Sequence, residues 1–88
     1  MRFMKQYFVY IARCSDGTLY TGYCADLLAR EKKHNEGDGA KYTKYRTPVA
    51  IVHSEIFESR ALAMQREAQI KRWSRIKKED LIKSNLPR

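Results

Sequence analysis

The segment Tyr7-Phe8-Val9-Tyr10-Ile11-Ala12 is an unbroken aromatic and β-branched run, and it constrains the fold more than any other stretch of the chain. Such a run reads as a strand buried on both faces or nearly so. Ser15-Asp16-Gly17-Thr18 follows as a turn signal, with Gly17 free to take a positive φ. Leu19-Tyr20-Thr21-Gly22-Tyr23-Cys24 is the return strand of an antiparallel hairpin. Gly22 marks a bulge or a place where something approaches the backbone closely. This hairpin puts Cys14 at the turn and Cys24 at the far end, beyond the roughly 7 Å between Cα atoms that a disulfide spans. Two cysteines, with His34 and His53 as the chain's histidines and no C-x-x-C spacing, also argue against a structural metal.

Asp26 is an N-cap for a helix from about Leu27 to Glu36, and Gly37 is a natural stop. A basic, aromatic loop spans Gly37 to Pro48, and Val49 to Glu58 reads as a third strand. Ser59 caps a second helix over about Arg60 to Trp73, and Ser74 caps a third from Arg75 to about Lys83. The order β-β-α-β-α-α predicts a mixed α+β fold, a small three-stranded antiparallel sheet flanked by helices. At 88 residues and 10.4 kDa the expectation is one domain over residues 1–88. A doubly wound dinucleotide domain or a barrel needs more chain. No apolar run approaches the roughly 20 residues of a membrane span, and the segment Met1 to Gln6 is unlike a secretory signal, so a soluble, cytoplasmic protein without a membrane partner is expected.

Charge gives the first indication of function. Eighteen Lys and Arg against ten Asp and Glu leave a net charge of +8 and a pI near 9.7. The excess is spread along the chain, +3 in residues 1–44 and +5 in residues 45–88. Arg66, Lys71, Arg72, Arg75, Lys77 and Lys78 form a basic stripe broken by Glu67 among acids. That is the footprint of a polyphosphate binder, although a solvated surface has the same composition.

Three groups of residues look misplaced for a purely structural protein. On a helical wheel Glu67 falls between Ala63 and Ile70 on one side and Met64 and Ala68 on the other. A carboxylate inside an apolar stripe needs a pairing partner, for which Lys71 is the candidate, or a metal or catalytic role. Arg30 and His34 stand four apart on one helix face; guanidinium matches phosphate oxygens, and imidazole moves protons near neutral pH. Four of six tyrosines lie in the hairpin, with Tyr7 and Tyr10 on opposite faces. Tyr42 and Tyr45, in the basic loop, are open to stacking on bases or packing on the sheet.

Tyr10, then Tyr20-Thr21-Gly22 on the next strand, Arg30 and His34 on a helix, and Glu67 on a later one together resemble the GIY-YIG nuclease superfamily. Its first motif stands here as Phe8-Val9-Tyr10 and its second as Tyr20-Thr21-Gly22. The likeness spans about residues 6–83 and is nearest to small stand-alone bacterial proteins of an uncharacterised-protein family. His34-Asn35-Glu36-Gly37, Lys41-Tyr42-Thr43 and Arg46-Thr47-Pro48 resemble branched-DNA resolving nucleases of the same superfamily. Phe8-Val9 replaces the Gly-Ile of the first motif, and the helical region 75–83 lacks the Asn that homing and repair nucleases carry after the metal Glu; Asn85 lies further along.

The resemblance implies a divalent-metal-dependent phosphodiesterase acting on DNA or RNA. It implies that Glu67 holds a single Mg²⁺ or Mn²⁺, that Tyr10 serves as general base or positions the attacking water, and that Tyr20 contacts the scissile phosphate. Arg30 would stabilise developing charge, and His34 would assist proton transfer. A metal and Arg30 beside Tyr10 would lower the phenol's pKa. Lys41, Tyr42, Lys44, Arg46, Lys71, Arg72 and Arg75 are the expected nucleic-acid contacts. Two alternatives stand beside this reading: a nucleic-acid-binding module without activity, and a nuclease subunit that needs a targeting protein partner.

Overall fold

The structure, a computed structural model, describes residues 5–84, so Asn85 lies outside the described residues. Within them are three strands and three helices: β1 (Tyr7–Arg13), β2 (Leu19–Cys24), α1 (Leu27–Asn35), β3 (Ala50–Phe57), α2 (Arg60–Lys71) and α3 (Arg75–Ser84). The strands form one antiparallel sheet in the order β2-β1-β3. β1 is the central strand, and Val9, Tyr10, Ile11 and Ala12 are all fully buried. That accounts for its unbroken apolar run.

Strand alternation sends the two sides of β1 into different cores. Val9 and Ile11 pack with Ala63 and Ile70 of α2 and Ile82 of α3, and Tyr7 joins that side. Tyr10 and Ala12 pack with Cys14, Cys24 and Val49, covered by Leu27 of α1. The sheet is therefore sandwiched between α1 on one face and α2 with α3 on the other. Both cysteines are free, and the register, with Cys24 opposite Phe8 and Leu19 opposite Arg13, holds them at opposite ends of the hairpin.

The helix starts follow local chemistry. The Asp26 carboxylate accepts from the Ala29 N–H (3.0 Å), Ser59 Oγ from Leu62 N–H (3.1 Å) and Ser74 Oγ from Lys77 N–H (3.2 Å). Gly17 and Gly37 adopt the positive φ values, 84° and 81°, that their turns require. Several element ends differ from expectation by one or two residues, β1 running to Arg13, β3 stopping at Phe57 and α3 reaching Ser84. α1 ends at Asn35, with Glu36 as its C-cap. α2 ends at Lys71 rather than Trp73, because the last turn tightens to three-residue bonds, Arg72 N–H to Gln69 and Trp73 N–H to Ile70. β3 begins at Ala50 because the Asn35 side chain takes both backbone groups of Val49, donating to its carbonyl (2.8 Å) and accepting from its N–H (2.7 Å). Glu31 adds a bond from Ile51 N–H (2.8 Å), so α1 is fastened to the start of β3.

The sheet's irregularity lies in the β1–β3 pairing, where Ile11 faces His53 and Ala12 faces Ile51, leaving Val52 as the extra residue. Gly22 is regularly paired. α3 is pinned to the hairpin by Arg13, which grips Glu79 with two bonds (2.7 and 2.9 Å), and by Arg75, which donates to the Gly17 carbonyl (2.9 Å). Among the described residues no helix is long and apolar enough to cross a membrane.

The apolar face of α2 is narrower than the helical wheel suggests: Ala63 and Ile70 are buried, whereas Met64 is 46% exposed and Ala68 is exposed. Ile70→Val should cost about 0.5–1.5 kcal/mol in chemical denaturation. Met64→Ala should stay within about 0.5 kcal/mol of the parent. Equal costs would mean that both residues face the core.

Candidate functional site

β2 is an edge strand, and Gly22 sits on it directly opposite Tyr10. A Cβ at position 22 would lie 2.6 Å from Tyr10 Oη, so this glycine is a close-approach site and not a bulge. The Tyr10 ring uses that space to direct its hydroxyl toward α1. Tyr10 Oη lies 2.8 Å from His34 Nε2, and His34 Nδ1 lies 2.7 Å from Thr43 Oγ1. Thr43 in turn donates to the Ala40 carbonyl (2.9 Å).

That last bond sets the direction of the whole chain. The carbonyl can only accept, so the Thr43 hydroxyl proton is committed to it and Thr43 Oγ1 accepts from His34 Nδ1–H. His34 is then the Nδ1–H tautomer, and its Nε2 lone pair accepts the Tyr10 hydroxyl. All three side chains are nearly or wholly inaccessible (Tyr10 0%, His34 1%, Thr43 0%). A Cβ at Gly39 would overlap the His34 ring, so a second glycine closes the loop over the imidazole. The helix turns His34 inward.

Burial is also the leading electrostatic influence. It pushes the Tyr10 phenol above its ordinary value, with Tyr20 adding to the rise and Arg30 opposing it. It pulls His34 below the ordinary histidine value, and the Arg30 charge adds to that fall. The Cys24 thiol is likewise held up by burial against the pull of Arg30. In the protein as it stands, Tyr10 is a neutral phenol; Arg30 alone does not offset its desolvation.

Beside this chain a pocket of about 440 Å³ wraps the open edge of β2. Arg30 reaches it from α1 on one face of the sheet, and Glu67 and Arg60 from α2 on the other. Tyr20, Gly22 and Tyr23 of β2 lie between them, and Tyr7 completes one wall. Tyr10 is not part of the lining, but its hydroxyl lies behind Gly22, which is. Glu67 therefore stands at the rim of the core beside the pocket, not inside an apolar stripe. Its side chain is 18% exposed, and the expected partner Lys71 pairs with it only loosely, at 3.7 Å. Arg60 went unread in the sequence; it is held near Tyr23, with a 3.3 Å bond to the phenol oxygen.

Among the described residues Glu67 is the one carboxylate lining this pocket. Among the described residues no three His, Cys, Asp or Glu side chains converge on a common point. Such a donor set suits a hard cation that keeps most of its waters and takes one carboxylate plus phosphate oxygens. It does not suit zinc, which requires three or four protein ligands.

The basic residues divide into two groups. Arg46 lies over Tyr42 (4.2 Å) and binds Asp16 (3.1 Å) and the Tyr42 carbonyl, while Arg75 binds Gly17 and Glu79, so both tie outer segments to the hairpin turn. Tyr42 is stacked on Tyr20 (6.0 Å) beneath Arg46 and so packs on the sheet. Tyr45 is 87% exposed, with Lys44 over its ring, and Lys41, Lys44, Lys71 and Arg72 are exposed.

Residues 6–80 match the family model of the GIY-YIG catalytic domain. The chain belongs to this family. A UPF0213 protein of Staphylococcus aureus is 55% identical over 80 residues, covering 91% of this chain and 98% of that one. The solution structure of a UPF0213 protein from Bacillus halodurans is 45% identical, with a TM-score of 0.59 over 91% of this chain and 85% of its own. The structure of the protein EF2693 from E. faecalis is 40% identical, with a TM-score of 0.62 over 96% and 90%. This GIY-YIG chain thus has the small relatives that its motifs suggested, and it is a member of a nuclease family. Tyr10, Tyr20-Thr21-Gly22, Arg30, His34 and Glu67 gather around one edge of its sheet, Tyr10 and His34 behind the pocket and the others along β2 and the pocket wall.

The hydrogen-bond chain makes a spectroscopic prediction. Ring ¹⁵N shifts should report His34 as the Nδ1–H tautomer, and Thr43→Val should remove that preference. In the unfolded chain His34 takes a proton near the ordinary value of about 6.5, and in the fold it does so only lower. Between those two values the unfolded state holds more protons, so stability should fall as pH drops below about 6.5, with no His34 contribution above it. Denaturation of Thr43→Val and the parent from pH 5 to 8 measures this slope; a parent curve flat through that window would contradict it.

Proposed function

We propose that this chain is a metal-dependent endonuclease that hydrolyses phosphodiester bonds of nucleic acid, DNA ahead of RNA, with branched and flapped forms among the candidate substrates. One observation carries the reading: a lone carboxylate, Glu67, and a guanidinium, Arg30, reach the same pocket from opposite faces of an open sheet edge. The +8 charge supports a polyanionic substrate. Relatives named only UPF0213 are compatible with it and specify no substrate.

Glu67 would hold Mg²⁺ or Mn²⁺, which supplies charge neutralisation at the phosphate and lowers the pKa of a bound water. Arg30 has no ion-pair partner among the described residues, which leaves its fork to bind the non-bridging phosphate oxygens and the charge that grows on them. Tyr20, at the pocket wall, donates its hydroxyl to the phosphate. Arg60 adds a second positive group beside it.

The proton path follows from the tautomer. A phenol held above its ordinary pKa is a poor standing base, so Tyr10 acts as a conduit. Its oxygen accepts a proton from the water as its own proton passes to His34 Nε2. His34 Nδ1–H stays bonded to Thr43 throughout, which holds the imidazole in place while it becomes charged. His34 is the group that retains the proton, and Thr43 is a positioning residue.

A cleavage assay on labelled duplex, flap, branched and single-stranded substrates, with Mg²⁺ and Mn²⁺ in turn, tests the proposal. Glu67→Ala and Arg30→Ala should each reduce cutting by at least about 100-fold, the scale on which removing one charge-stabilising group acts. Activity should fall on the acid side as His34 becomes protonated. Binding should weaken steeply with salt, with a log–log slope of roughly −4 to −5 on duplex DNA for four to six phosphate contacts. Binding with no cleavage under either metal would sink the nuclease reading in favour of a binding module or a partner-dependent subunit.

A further inference from the structure

Thr21 carries the one buried side-chain polar atom that has no hydrogen-bond partner among the described residues. It is 4% exposed and lines a cleft of about 200 Å³ together with Leu19, Tyr20, Tyr42, Lys71 and Lys78. An unpaired buried hydroxyl is destabilising unless something meets it. Here Lys71 and Lys78 share the cleft with it. Lys71 is bound to Glu67 only at 3.7 Å, and Lys78 is in no ion pair among the described residues. Tyr20 lines both this cleft and the pocket that holds Glu67 and Arg30, so the two sites adjoin along the open edge of β2.

We infer that Thr21, Lys71 and Lys78 form a second phosphate site, which holds a neighbouring phosphodiester of the strand whose bond lies in the Glu67 pocket. The chemistry is matched: the hydroxyl donates one short hydrogen bond, and two lysines neutralise one anionic group. Tyr42 already has stacking partners in this cleft, since Tyr20 is stacked on it at 6.0 Å and the Arg46 guanidinium lies 4.2 Å over its ring. The cleft therefore reads backbone rather than base, which makes it insensitive to sequence. Its place beside Tyr20 directs the strand along β2 toward α3. This inference rests on the nucleic-acid reading of the neighbouring pocket, but not on cleavage.

The test is equilibrium binding of fluorescein-labelled duplex and single-stranded DNA to the full chain in EDTA, where no metal-dependent cutting occurs. Thr21→Val keeps the shape of the side chain and its preference for strands. It should leave stability unchanged or raised, since the hydroxyl has no partner to lose, yet weaken binding about 10-fold. Its salt slope should match the parent's, because no charge is lost. Lys78→Gln should lower the slope by about 0.9 on duplex and 0.7 on single strands. Thr21→Ser should restore affinity. Inorganic phosphate, followed by amide NMR shifts at Thr21 and Lys78, provides the second arm; binding of phosphate without any effect of Thr21→Val on DNA would reject the strand placement.

Parent-like DNA binding by both Thr21→Val and Lys78→Gln would overturn the inference, as would a parent chain that binds no DNA. A destabilised Thr21→Val that binds normally would also do so, since the hydroxyl would then be structural. Loss of binding in these variants with no cutting by the parent under any metal would leave this site standing and remove the nuclease reading. Parent-level cutting and binding by the variants would do the reverse.

Discussion

Everything near the candidate site depends on burying one phenol and one imidazole together. Tyr10 comes from the central strand, His34 from α1 and Thr43 from the loop that follows, and each satisfies the next. Leaving any of them unpaired in the interior would cost about 1–3 kcal/mol, a large share of the marginal stability a chain of 88 residues holds in reserve. The chain ends on a backbone carbonyl, so it has one direction and one tautomer. It also orients α1. With His34 turned inward and Asn35 clasping Val49, Arg30, one turn earlier on the helix, is carried to the pocket at the edge of β2.

The edge strand is the second constraint. Side chains on α1 and α2 are normally separated by the thickness of the sheet, and here they meet because β2 has no neighbour on its outer side. Gly22 widens the meeting place by presenting no side chain. An unpaired edge is ordinarily a liability that proteins cover or charge. In this chain the edge is flanked by Arg30, Arg60, Lys71 and Lys78, which repel a second strand of the same protein while attracting a polyanion.

Features set by short-range chemistry were legible in the sequence. Asp26, Ser59 and Ser74 cap helices through bonds that span three residues, and Gly17 and Gly37 mark turns by their own conformational freedom. The hairpin and the buried strand were equally plain. Glu67 was found for an imperfect reason: a wheel counts Met64 and Ala68 as core, but only the ridge of Ala63 and Ile70 reaches the sheet. Thr43, Arg60 and Thr21 were not singled out as site residues, because their importance lies in what faces them across the fold. Thr43 matters for its direction of donation, Thr21 for lacking a partner, and no local pattern carries either property. The late start of β3 was hidden for the same reason, set by an Asn35 clasp fourteen residues away.

Under the proposed reading, Arg30 links the proton path to the substrate. Burial lowers the proton affinity of His34, and the Arg30 charge lowers it further, so the imidazole is held neutral and able to accept a proton. Burial meanwhile keeps the Tyr10 proton in place, and the pair rests as a neutral, one-directional hydrogen bond. Under the proposed reading, a phosphate bound to Arg30 brings negative charge next to the guanidinium and offsets its repulsion of an imidazolium. His34 then gains proton affinity only when substrate is present. Under that reading the arginine that would stabilise charge on the phosphate would also release the base that receives the water's proton, the two events being coupled through electrostatics.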